Sequence, residues 1–95
     1  MQLSKLKLSA FGMSEWEINA ILATYWDPLG TIVRGGYKDE YRSYAAQLAT
    51  MIRDGAPLDR ITHYLCEVET AMMLLTPNRA RAARVAYLIL KNACT

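Results

Sequence analysis

One histidine, two cysteines and nine acids are the stock from which this 95-residue chain could build hydrolytic or metal chemistry. Nucleophilic catalysis needs a base held beside a Ser, Cys or Thr. His63 can meet Glu67 four residues on, with Cys66 near it in sequence. On a helical wheel, however, His63 lies with Arg60, Glu67 and Leu74 away from the apolar stripe, so a solvated His63–Glu67 pair is the better account. Cys66 and Cys94 fall on different segments, and no His-x-x-x-His, Cys-x-x-Cys or acidic calcium loop occurs. Gly35-Gly36 lacks the preceding strand and the following Lys-Ser or Lys-Thr of a phosphate loop. The expectation is no catalytic residue, no metal and no cofactor.

Charge carries more by segment than in total. Residues 39–75 hold six acids (Asp39, Glu40, Asp54, Asp59, Glu67 and Glu69) against three arginines, a net charge of −3. The last twenty residues hold Arg79, Arg81, Arg84 and Lys91 with no acid, a net charge of +4. Arg81, Arg84 and Lys91 gather around Leu88 on the polar side of the last helix, a patch that nucleic acid could meet. Its shortness and lack of interleaved aromatics favour a solvated face instead.

The elements that must position these groups are helical. Hydrophobic residues at 53% against 21% charged describe a chain able to bury a core, and its length suits one domain. No apolar run reaches the roughly 18 to 20 residues of a membrane span, and residues 1–10, with Lys5 and Lys7, do not read as a secretory signal. Two cysteines make no disulfide framework, which suits a reducing cytoplasmic setting.

Ser14 and Glu17 form a capping box, with Met13 and Ile18 at staple positions. Ile18, Ile21, Leu22 and Tyr25 then recur at helical spacing, so a first helix is expected over residues 15–25. Trp26-Asp27-Pro28-Leu29-Gly30 ends it, and a loop runs on to Tyr37. Tyr41, Tyr44, Ala45, Leu48, Met51 and Ile52 place a second helix over residues 39–54, stopped by Gly55. Pro57 opens a third, whose stripe is Leu58, Ile61, Tyr64, Leu65, Val68, Met72 and Leu75. Thr76 as cap and Pro77 in the first turn open a fourth over residues 77–92, with Ala83, Ala86, Tyr87, Leu90 and Ala93 along one side. Short connections favour an up-down arrangement of helices two to four, with helix one added through the longer loop. The fold class is therefore all-α, a small bundle of about four helices, with residues 1–12 matching neither period.

Trp26-Asp27-Pro28-Leu29-Gly30, Asp39-Glu40-Tyr41 with Tyr44, Gly55-Ala56, and Ile61-Thr62-His63-Tyr64-Leu65 ending near Glu69 together form a pattern over residues 14–75. It resembles that of short helical bacterial immunity proteins of contact-dependent growth inhibition systems. Pro57 departs from the small polar cap usual in the second loop, which bears on helix capping more than on function. The resemblance implies a cytoplasmic protein that binds a cognate toxin, often a nuclease, and covers its active site or substrate surface without catalysis of its own.

A nuclease holds phosphate on a basic surface, so acids are the expected counterpart. Candidate contacts are Asp39, Glu40, Glu67 and Glu69, with Trp16 and Tyr37 as aromatic anchors. Asp39 and Glu40 have a plain alternative, since acids in a first turn complement the helix dipole. The competing readings are a nucleic-acid module using Arg81, Arg84 and Lys91, and a homo-oligomer with Leu88 or Leu74 at its seam. No membrane partner is expected.

Overall fold

Ser14 opens the first helix by the predicted reciprocal pair. Its Oγ accepts the Glu17 amide at 3.2 Å, and the Glu17 carboxylate accepts the Ser14 amide at 3.0 Å. In the computed structural model, which describes residues 14–30 and 41–93, the chain forms four helices and no strand among those residues. Helix α1 is Glu15–Ile21 and continues through a π-helical turn, Leu22–Trp26. Helix α2 is Arg42–Arg53; α3 is Leu58–Glu67, again continued by a π-helical turn, Val68–Met72; and α4 is Arg79–Ala93. The all-α class holds; Met13 of the staple lies outside the described residues.

The two π turns correct the sequence-based wheels. A π turn bonds five residues back, as the Asp27 amide does to the Leu22 carbonyl at 2.9 Å, so each residue advances by less than the usual ~100°. In α1 this keeps Trp26 on the face of Ile18 and Leu22, all three buried, and turns Tyr25 into solvent. In α3 it turns Met72 outward and brings Met73 against the core. Tyr25 and Met72, expected inside, are therefore exposed for one shared reason.

Gly55 ends α2 as expected, at φ +81°, with its amide bonded to the Ile52 carbonyl and the Ala56 amide to the Met51 carbonyl. This Schellman closure satisfies two carbonyls that the helix leaves open. Helix α3 closes in a related way, the Leu75 amide reaching the Glu69 carbonyl at 2.7 Å. Leucine, not glycine, occupies the left-handed position there: Leu74 has φ 58° and is 86% exposed.

Helix α4 starts later than expected. Asn78 Oδ1 accepts the Arg81 amide at 3.0 Å, so Asn78 is the cap in place of Thr76, and Pro77 precedes the helix. Its buried face is Ala82, Val85, Ala86, Ile89 and Ala93, about a quarter turn from the expected one. Val85 and Ile89 carry no polar tip, whereas Tyr87 keeps its hydroxyl in water and is 55% exposed. Leu88, expected exposed, is half-buried.

Helix α3 packs on α4, and α1 on α2, with α4 also against the end of α1. Ile18, Leu22, Leu48, Ile61, Leu65, Val85 and Ile89 are fully enclosed, each contributing about 1.5 to 3 kcal/mol of burial. Tyr41 touches the end of α1 while its neighbour Arg42 reaches the beginning, so the start of α2 lies beside the middle of α1. The start of α2, the end of α3 and the start of α4 share one polar cluster, and the chain direction consequently alternates through α2, α3 and α4.

Candidate functional site

Two clusters combine polar and aromatic groups, one inside the molecule and one on its surface. The inner cluster centres on Glu69, whose side chain has no exposed surface. It accepts from the Trp26 indole N–H at 2.7 Å, the Asn78 amide at 3.0 Å and Arg81 Nη2 at 3.4 Å. Trp26 packs edge-on against Tyr41 and Tyr44, with centroids 5.3 and 6.1 Å away. The Tyr41 hydroxyl donates to Asp27, which sits in the left-handed region at φ 30°, a conformation that Asp tolerates better than most residues.

This arrangement ties the ends of α1 and α3 to the starts of α2 and α4. Its chemistry is structural: a buried carboxylate surrounded by an indole, a backbone amide and a guanidinium. Glu69 was expected to be a partner contact, and the structure removes it from that role. Arg81, expected on the basic face, directs its guanidinium to Glu69 and is only partly exposed.

The outer cluster lies at the first turns of α1 and α2. Trp16 is 57% exposed, and the Arg42 guanidinium lies over its ring, 3.9 Å from the centroid. Arg42 Nε also stands 3.6 Å from the Glu15 carboxylate, and Glu17 is exposed on the next turn position but one. Stacking on the indole orders a long side chain that would otherwise move freely. The Glu15–Arg42 pair is about half exposed and adds under about 1 kcal/mol of stability. Arg42 was not singled out from the sequence, because 26 positions separate it from Trp16 and no periodicity links them.

Of the other predicted contacts, Glu67 is exposed and pairs with His63 at 3.4 Å, as expected for a solvated pair. Asp39, Glu40 and Tyr37 lie outside the described residues. Among the described residues the first turn of α2, which begins at Arg42, contains no acid. Arg84 and Lys91 are exposed on α4. Burial, and then neighbouring Tyr44, push the Tyr64 hydroxyl above its ordinary range.

No group of three or more His, Cys, Asp or Glu side chains among the described residues is placed to hold a metal ion. Cys66 is buried and Cys94 lies outside those residues. Among the described residues no helix is long and apolar enough to cross a membrane. Comparison with protein-family models, with curated proteins and with solved structures found no match to this chain.

Proposed function

We propose that this chain is a partner-binding protein, an immunity protein that neutralises a cognate toxin domain in the cytoplasm, with the Trp16–Arg42 cluster in its contact surface. The observation that carries the reading is the exposed indole with a guanidinium already stacked on it. Tryptophan and arginine are enriched at the energetic centres of protein interfaces, and an ordered arginine loses less freedom on binding.

The surrounding charge suggests the partner's character. Glu15 and Glu17 flank Trp16 on α1, and Asp39 and Glu40 precede α2 in the sequence. A basic protein surface, such as that of a nuclease built to hold phosphate, complements such a rim. The toxin-neutralising frame itself comes from the motif resemblance over residues 14–75. Glu67 remains a candidate rim contact, and Glu69 does not.

The test is recovery of the tagged chain from its source cells, identification of any stoichiometric partner, and assay of that partner's activity with and without the chain. A partner whose activity disappears on mixing supports the reading; recovery of no such partner sinks it. Trp16→Ala should weaken the complex about 30-fold or more with the melting temperature nearly unchanged. Unchanged affinity would place the contact surface elsewhere.

A further inference from the structure

We propose that the outer face of α4 binds single-stranded nucleic acid through Arg84, Tyr87 and Lys91, independently of the partner surface around Trp16. Positions 84, 87 and 91 fall within about 60° of one another around the helix and span about 10.5 Å along it. The Tyr87 ring is 55% exposed, where the sequence pattern had assigned it to the core. Lys91 Nζ stands 5.9 Å from the ring centroid. The stripe is therefore cation, aromatic, cation, which supplies the interleaved aromatic that the basic patch lacked when read from sequence.

Among the described residues the charge on the stripe is uncompensated. Residues 76–95 contain no acid, and neither Arg84 nor Lys91 makes an ion pair among the described residues. Among the described residues the one carboxylate that pairs with α4, Glu69, is buried and takes Arg81 rather than Arg84 or Lys91. Arg84 and Lys91 suit two phosphates, and an accessible phenol between them suits an unpaired base, whose face a duplex keeps stacked away. The neighbouring Ala80 and Ala83 are small, and Ala80, Arg84 and Tyr87 are all exposed.

Fluorescence anisotropy of a labelled oligothymidylate, titrated with the full chain between about 50 and 200 mM salt, tests this. Two phosphate contacts predict a log–log salt slope of about −1.4. Tyr87→Ala should weaken binding about tenfold at every salt with the slope kept, and Tyr87→Phe should restore it. Lys91→Gln should lower the slope by about 0.7. All three side chains are exposed, so thermal melting should not move, which separates lost binding from lost folding. No binding at the lowest salt, equal affinity for a blunt duplex, equal displacement by polyglutamate, or indifference to Tyr87→Ala would each overturn the proposal.

Discussion

Glu67 and Glu69 stand two residues apart near the end of α3, and the surfaces they occupy behave as different materials. The Glu67 side chain is 65% exposed, with His63 3.4 Å away and itself 64% exposed. Glu69 has no exposed surface and is held by an indole from the end of α1 and by a backbone amide and a guanidinium from the start of α4. In the first setting water competes with every interaction, and in the second nothing replaces a lost partner. A carboxylate's worth is thus set by what surrounds it, and the surroundings change within one turn because residues two apart on a helix face nearly opposite sides.

The sharpest way to break the comparison is at its buried member. Glu69→Gln keeps the shape but puts an amide NH₂ where only acceptors are satisfied, facing Trp26 or the Asn78 and Arg81 donors. Stability should fall by about 3 to 5 kcal/mol, read as the urea midpoint, since breaking a buried pair strands the partner charge. Replacing Glu69 and Arg81 together by leucine and methionine removes the charges but leaves the Trp26 indole and the Asn78 amide without an acceptor, so it should not restore the lost stability. A loss under about 1 kcal/mol for Glu69→Gln would show that the cluster is open to water.

That contrast also explains how much was legible in the sequence. Four helices, the capping box at Ser14, the stop at Gly55 and the solvated His63–Glu67 pair follow from local spacing, and the structure bears them out. Wheels drawn at a constant ~100° per residue could not foresee the π turns, which is why Tyr25 and Met72 were placed inside, whereas Glu69 was taken for a surface acid on its charge alone. Glu69 finds Trp26 across 43 positions and Arg81 across 12, distances over which periodicity carries no information. On α4 the surplus of alanine left two faces nearly equal in hydrophobicity, and the choice fell to packing against α3. The motif residues of the immunity-protein resemblance, Trp26, Asp27, Tyr41, Tyr44 and Glu69, are in this chain the parts of the buried cluster. Their pattern speaks to how the helices are tied together, and the proposed contact surface around Trp16 shares none of them.

The two tryptophans restate the comparison with a neutral donor. Trp26→Phe removes the N–H that Glu69 accepts and leaves a smaller ring beside Tyr41 and Tyr44. The unsatisfied acceptor alone should cost about 1 to 3 kcal/mol, before any cavity term. Trp16→Phe, on the exposed ring under Arg42, should stay within about 0.5 kcal/mol. Parallel denaturation curves for the two variants check the ratio, and equal losses would mean that Trp16 is structural.

A smaller effect, of opposite sign, is expected where α3 closes. Leu74 holds a left-handed conformation that glycine adopts without steric cost, and its side chain is almost wholly in solvent. Leu74→Gly should therefore stabilise by about 1 kcal/mol, whereas Gly55→Ala, at the matching position of α2, should destabilise by a similar amount. Nothing lies within 4 Å of a Cβ built at Gly55, so the second loss would come from backbone strain alone. If Leu74→Gly destabilises instead, the leucine is making a contact that its exposure conceals.

The smallest effect belongs to the exposed member with which the comparison began. Glu67→Gln removes one charge from a His63–Glu67 pair that is about two-thirds exposed on both sides. Its Coulomb energy is screened by water and salt, and fixing two side chains in one geometry offsets part of what remains. Stability should change by less than about 0.5 kcal/mol, and raising the salt should shrink even that difference. The same substitution is informative precisely where folding is silent: if Glu67 belongs to the rim that meets a basic partner, association should slow and its salt dependence weaken while the melting curve stays in place. A stability loss comparable to that of Glu69→Gln would erase the distinction between the two carboxylates and require a partner for Glu67 beyond His63.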